Sequence, residues 1–99
     1  MSPHEAIAAL WAAFAPVVSG RVEILETFAN DVADHQGDPA GRADAMDAAH
    51  KLAGALGTYG KQGSDVAAML ESVLRRPGPV EAGDILPLVR QLRAAVDPA

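Results

Sequence analysis

The residue in this sequence with the clearest chemical potential is His50, which lies within a segment of helical periodicity, residues 39–59. With about 100° between successive residues, the apolar residues of this segment fall on the side of the helix opposite the histidine. They are Ala45, Ala48, Leu52, Leu56 and Tyr59. The imidazole is therefore predicted to point into solvent, where a neutral ring is a nucleophile, including toward phosphoryl groups.

The predicted outer face around His50 carries small residues where an exposed helix normally carries lysine and glutamate. Gly54 and Gly57 follow the histidine by four and seven residues. Each glycine inside a helix costs about 0.5–1 kcal/mol relative to alanine, so an offsetting role is expected. We predict that they give a bulky group access to the ring and let another protein's backbone approach. The alternative is that the glycines end the helix early and residues 57–60 form a loop.

Charged residues near His50 can assist such chemistry. Lys51 is adjacent, and Lys61 follows about three turns later, on a similar face if the helix persists. Either lysine can screen the charge of a phosphoryl group, and the alternative for both is an ordinary solvated side chain. Glu71, on the next helix, can accept a hydrogen bond from the His50 ring and fix its tautomer if the helix register brings the two together.

Composition restricts the fold and the function. The chain has 99 residues, 49% of them hydrophobic but only 4% aromatic, which fits one small domain of closely packed helices. The absence of cysteine excludes a disulfide framework, a thiolate zinc site and a cysteine nucleophile. A net charge of −5 argues against nucleic acid or an anionic membrane as the main partner.

The hydrophobic pattern predicts an all-α domain over residues 1–99. A first helix begins at Ser2 and ends or bends at Pro16, and a second covers residues 17–34. Later helices cover residues 39–59 and carry the apolar stripes at 66–74 and 85–96. Trp11, Phe14 and Tyr59 lie on apolar stripes and are predicted to be core residues.

The same pattern bears on location and metal binding. No apolar run approaches the roughly 20 residues that span a bilayer, and the N-terminus lacks a basic signal region, so a cytoplasmic protein is expected. The three histidines are scattered along the chain, which argues against a metal site.

Residues 49–60, Ala-His-Lys-Leu-Ala-Gly-Ala-Leu-Gly-Thr-Tyr-Gly, resemble the signature of histidine-containing phosphotransfer (HPt) domains of two-component phosphorelays. The ending Gly57-Thr58-Tyr59-Gly60 is similar to that of chemotaxis-type phosphotransfer domains. Met69-Leu70-Glu71 falls where the family often shows leucine-glutamate on the following helix.

The resemblance implies an antiparallel four-helix bundle with an additional N-terminal helix. His50 would take a phosphoryl group from one aspartate and donate it to another, and Gly54 would leave room for that group. The partner would be a response-regulator receiver domain, a hybrid sensor histidine kinase, or both. The implied docking face comprises Ala43, Met46, Ala53 and Gly57, with Ile24 and Phe28 of the second helix at its shoulder.

The resemblance also implies a monomer without a cofactor of its own, because Mg²⁺ belongs to the receiver. The chain departs from the family at Ala53, where lysine is usual, and at Ser64, which is commonly aliphatic. Lys51 can replace the missing charge, although it leaves the helix about 100° from His50. No ATP-binding loop is present, so the chain is expected to be a phosphoryl carrier without autokinase activity. The alternative is a non-catalytic interaction module that uses the same small-residue face.

Overall fold

The computed structural model describes residues 2–96, which form four α-helices and, within that range, no strand. The helices are α1 Pro3–Ala33, α2 Pro39–Thr58, α3 Ser64–Arg75 and α4 Ala82–Val96. The all-α prediction is therefore confirmed. The predicted domain, residues 1–99, also includes residue 1 and residues 97–99, which lie outside the described range.

Helix α1 is continuous through Pro16, so the predicted division into two helices, and with it the separate N-terminal helix, is wrong. A proline inside a helix removes one hydrogen bond and costs about 3 kcal/mol, which was the reason for expecting a break. Aromatic contacts on the N-terminal side of the proline offset this cost. The Trp11 and Phe14 ring centroids lie 5.6 and 5.9 Å from that of Tyr59, at the end of α2.

The helices pack in cyclic order: α1 contacts α2 and α4, and α3 contacts the same two helices from the other side. Leucine, valine, isoleucine and alanine side chains from all four helices fill the space between them. Among the residues described, no polar or charged side chain is buried in this core. Trp11, Phe14 and Tyr59 are only partly buried at its rim, so their assignment to the core was too strong.

Two contacts fix α3 against α2, one at each end of α3. At its start, the Ser64 hydroxyl donates to the backbone carbonyl of Ala53, at 2.9 Å. At its end, the Arg42 guanidinium donates to the carbonyls of Leu74, at 2.9 Å, of Gly78, at 2.6 Å, and of Arg76. Because both ends are held, the register between these two helices is determined along the whole of α3.

Helix α1 is also the one described helix that is long and apolar enough to cross a membrane, by length and composition. The sequence reading missed this because it divided the segment at Pro16. The most apolar window has a mean hydropathy of 1.4 and is only 11% buried. The C-terminal half of the helix nevertheless contributes Val18, Val22 and Leu25 to the core, and the core helix of a soluble protein passes the same length and composition test.

Gly63 is expected to tolerate substitution poorly, because it precedes α3 with a φ of 100°. A Cβ there would lie 3.2 Å from both Ala95 Cβ and Leu92 Cδ1. We predict that Gly63→Ala lowers the free energy of unfolding, measured by urea denaturation, by about 1–3 kcal/mol. The matched control is Gly83→Ala in α4, where a Cβ meets no atom within 4 Å. That variant should be neutral or up to about 1 kcal/mol more stable, and equal losses in both variants would contradict the assignment.

Candidate functional site

His50 lies on the exposed side of α2, and 66% of its side chain is accessible to solvent. The helix that carries it begins at Pro39 and is capped by the preceding Asp38, whose carboxylate accepts a hydrogen bond from the Gly41 amide at 2.6 Å. It continues through Gly54 and Gly57 to Thr58, so the alternative of an early helix end is wrong. The predicted outward orientation of the imidazole is confirmed.

A carboxylate from α3 holds one nitrogen of the His50 ring. His50 Nδ1 lies 2.8 Å from Glu71 Oε2, so the helix register does bring the two residues together, and only 16% of the Glu71 side chain is exposed. Because an ionised carboxylate only accepts hydrogen bonds, this contact assigns the proton of the neutral ring to Nδ1. The lone pair is then on Nε2, which no group in residues 2–96 hydrogen-bonds.

Arg75 is a member of the site that the sequence reading missed. Its Nη2 donates to Glu71 Oε2 at 2.6 Å, so this oxygen accepts from both Arg75 and His50. The available signal was the spacing of glutamate and arginine four residues apart on one helix face. Arg75 is 60% exposed, so the ion pair adds little stability, and its main effect is to restrict the orientation of the carboxylate.

The two glycines after His50 have different environments. A Cβ at Gly54 would meet no atom within 4 Å, which agrees with the predicted open access. A Cβ at Gly57 would lie 3.3 Å from Ser64 Oγ, at the start of α3. The missing side chain of Gly57 therefore also makes room for the neighbouring helix, and its role in access to the ring stays a prediction.

Neither predicted lysine contacts the His50 ring. Lys51 Nζ lies 2.9 Å from Asp47 Oδ2, one turn back on α2. Lys61 follows the end of α2, and its Nζ lies 4.9 Å from the centroid of the Trp11 ring of α1. Because the helix ends before Lys61, the reason for expecting this residue on the His50 face does not hold.

The four docking residues predicted on α2 surround His50. The two predicted on α1, Ile24 and Phe28, do not adjoin the surface that these four form. Ala43 and Gly57 are exposed, and Met46 and Ala53 are partly buried. The spacing of these four residues places them on one face of α2.

Ile24 and Phe28 of α1 were predicted to extend the docking face. Phe28 does not do so, and Ile24 lies beside a different groove. Phe28 is 5% exposed and packs beside Gly41, so it belongs to the core and cannot contact a partner. Ile24 is 43% exposed, but it borders a groove between α1 and α2 that Gly41 and Asp44 also line. His50 instead faces α3, where its partner Glu71 lies. The surface next to the imidazole is therefore formed by α2 and α3.

Among the described residues, no group of three or more histidine, aspartate or glutamate side chains is placed to hold a metal ion. No family model, no curated protein and no solved structure matches this chain. The interpretation of the site therefore depends on the geometry around His50 and on the resemblance of residues 49–60.

The contact with Glu71 predicts a specific tautomer. For the neutral ring, ¹⁵N NMR is expected to show His50 protonated mainly on Nδ1. Glu71→Ala removes the acceptor and should shift the population toward the Nε2-protonated form. Glu23→Ala, on the exposed surface of α1, is the control and should leave the His50 signals unchanged. A wild-type ring protonated mainly on Nε2 would contradict the assigned hydrogen bond.

Proposed function

We propose that this chain is a histidine phosphotransfer protein of the HPt type. In this proposal, Nε2 of His50 accepts a phosphoryl group and passes it to or from the aspartate of a response-regulator receiver domain. One observation carries the proposal: an exposed imidazole whose Nδ1 is bonded to Glu71 and whose neighbour, Gly54, has no side chain.

The transfer step follows from the tautomer. The Nε2 lone pair attacks the phosphorus of a phosphoaspartate in line with the P–O bond to the aspartate carboxylate. The N–P bond forms while the P–O bond breaks, and the aspartate carboxylate leaves with the electron pair. The proton stays on Nδ1, so the ring gains positive charge. The Glu71 carboxylate, 2.8 Å from Nδ1, stabilises that charge, and in the reverse step the receiver aspartate attacks the phosphohistidine.

The electrostatics of the site support reversible transfer. Arg75 shares the Glu71 oxygen with His50, so the carboxylate stays oriented toward the ring throughout the step. Lys51, about 100° around α2, is the nearest cation on the same helix and lies at the edge of the proposed interface. The Mg²⁺ ion that the resemblance implies would be held by the receiver and would offset the charge of the phosphoryl group there.

The surroundings of His50 suit a partner that docks closely. Ala43, Met46, Ala53 and Gly54 form the proposed docking surface on α2. The small side chain of Ala53 and the absence of one at Gly54 let the receiver's phosphorylated aspartate reach Nε2. The cyclic packing order of the four helices and their short connections support the antiparallel four-helix bundle that this family uses.

The proposal predicts covalent labelling at one residue. Incubation with a ³²P-labelled phosphorylated receiver domain is expected to transfer label to this chain, in an acid-labile and base-stable form typical of phosphohistidine. His50→Gln should abolish the transfer, whereas His4→Gln, an exposed histidine of α1, should leave it unchanged. Unchanged labelling of His50→Gln would rule out His50 as the acceptor. Failure of the wild type with every receiver tested would instead favour the non-catalytic interaction module.

A second prediction concerns access to Nε2. Gly54→Leu should fold normally, because the position faces open space, but should slow transfer by about 100-fold by crowding the ring and the docked receiver. Gly83→Leu, also in open space but on α4, is the matched control and should transfer at the wild-type rate. Circular dichroism of both variants separates a loss of transfer from a loss of folding. Normal transfer by Gly54→Leu would show that this glycine has no role in access.

A further inference from the structure

Helix α1 exposes most of the large apolar side chains found on the described surface. Ile7 is 49% exposed, Leu10 58%, Val17 44% and Ile24 43%, and the fifth such residue, Met69, lies on α3. Scattered single residues of this kind are normal on a soluble protein. Three of the four, Leu10, Val17 and Ile24, lie on one side of the helix, and such a surface calls for a partner. Ile7 lies about 60–100° around the helix from them.

The exposed residues follow the spacing of a coiled-coil seam. Leu10, Val17 and Ile24 are seven residues apart, and Ala6, Ala13 and Gly20 form a second series of the same spacing, four residues before the first. Alternate spacings of four and three place all six on one stripe of the helix, which we call the α1 seam. The stripe lies about 130° around the helix from the core residues Val18, Val22 and Leu25. A Cβ at Gly20 would meet no atom within 4 Å, so the seam is open at this position, beside the groove between α1 and α2.

We propose that the α1 seam binds a second copy of this chain, with the two α1 helices antiparallel. When the helices are aligned so that paired residue numbers add up to 30, every large residue faces a small one. Leu10 faces Gly20 of the partner subunit, Val17 faces Ala13 of the partner subunit, and Ile24 faces Ala6 of the partner subunit. The alternation of large and small residues lets the helices approach closely and fills the interface without gaps.

The opposite orientation fits less well. In a parallel pair in register, each seam residue faces itself, so layers of two large side chains alternate with layers of two alanines or two glycines. The helices cannot then be close enough to fill the small layers without overlap in the large ones. The size pattern therefore favours the antiparallel arrangement.

The charges beside the seam are compatible with the antiparallel pair. Arg21 and Glu23 flank the stripe. In the proposed alignment the two Arg21 residues are about 18 Å apart along the axis, and the two Glu23 residues about 24 Å, given a rise of about 1.5 Å per residue. These separations exceed the Debye length of about 8–10 Å at physiological ionic strength, so like charges do not oppose the pairing.

A lipid bilayer is the other surface that an apolar α1 could contact, and the seam pattern argues against it. Acyl chains gain nothing from alanine or glycine at regular intervals, whereas a partner helix requires them. The net charge of −5 also disfavours binding to anionic lipid. The proposed dimer replaces the monomer that the resemblance implies. It does not depend on the proposed function, because His50 faces α3 on another side of α2.

The oligomeric state of the full chain tests the proposal. Sedimentation equilibrium over a concentration range of about 1–100 μM is expected to show a monomer–dimer equilibrium. Val17→Glu, in the seam, should give a monomer with unchanged helicity, whereas Ala12→Glu, exposed on another face of α1, should still dimerise. A monomeric wild type throughout this range, or equal loss in both variants, would overturn the proposal.

A third variant distinguishes specific dimerisation from nonspecific hydrophobic association. Ala13→Leu makes the seam more apolar but fills the space that Val17 of the partner subunit needs, so it should weaken the dimer by at least about 10-fold. Stronger self-association of Ala13→Leu would overturn the proposed packing. Lipid binding is measured with phosphatidylcholine–phosphatidylglycerol vesicles. If Ala13→Leu binds them more strongly than the wild type and no dimer forms in solution, the surface contacts lipid and the proposed dimer is overturned.

Disulfide trapping tests the orientation, since the chain contains no cysteine of its own. Mixing the Leu10→Cys and Gly20→Cys variants under mild oxidation should give a mixed disulfide dimer, identified by mass spectrometry. Leu10→Cys alone should not form a disulfide within the dimer, because the two sulfurs are about 15 Å apart along the axis. Efficient oxidation of Leu10→Cys alone, without the mixed product, would indicate a parallel pair and contradict the antiparallel alignment.

Discussion

The hydrogen bond between His50 and Glu71 is the contact on which the candidate site depends, and it joins two helices. Its 2.8 Å distance requires a fixed register of α3 against α2, which the Ser64 and Arg42 contacts with backbone carbonyls provide. These acceptors do not move with side-chain rotamers, so they fix the helices more firmly than contacts between flexible side chains can. The helix register that lets Glu71 reach the imidazole is thus set by contacts that do not involve the ring.

Small residues on α2 serve packing on one side and access on the other. Gly57 and Ala53 lie toward α3, where the Ser64 side chain occupies the space that larger residues would fill. Gly54 lies about 60° from Gly57 around the helix and borders solvent. The helix tolerates both glycines because its inner face, including the fully buried Leu52 and Leu56, anchors it to the core. The cost in helix propensity is therefore offset by burial elsewhere on the same element.

Periodicity was sufficient to predict the outward direction of His50, because that direction follows from which face of α2 is apolar. It left the contact with Glu71 conditional on the register between α2 and α3, which only the assembled structure gives. It could not predict the continuity of α1, because the contacts that offset Pro16 come from Tyr59, 43 positions later in the sequence. The burial of Phe28 was missed for a related reason: Gly41 leaves a space on α2 that only the assembled structure reveals. Arg75 was overlooked because an ordinary spacing of charges on a surface helix does not indicate that the glutamate also contacts a histidine.

Helix α1 carries two apolar stripes, and the protein's own core accounts for only one of them. Val18, Val22 and Leu25 pack inside, whereas the α1 seam points about 130° away. If the seam were only a by-product of an alanine-rich composition, its large residues would have no reason to recur every seven positions opposite small ones. In the proposed pair the two-fold axis crosses the interface at the level of residue 15, so Pro16 of each helix lies at almost the same level along the helices. The missing backbone hydrogen bonds then fall at the same level in both helices, and any bend that they allow is shared symmetrically. A proline that is costly in an isolated helix is therefore compatible with the pair.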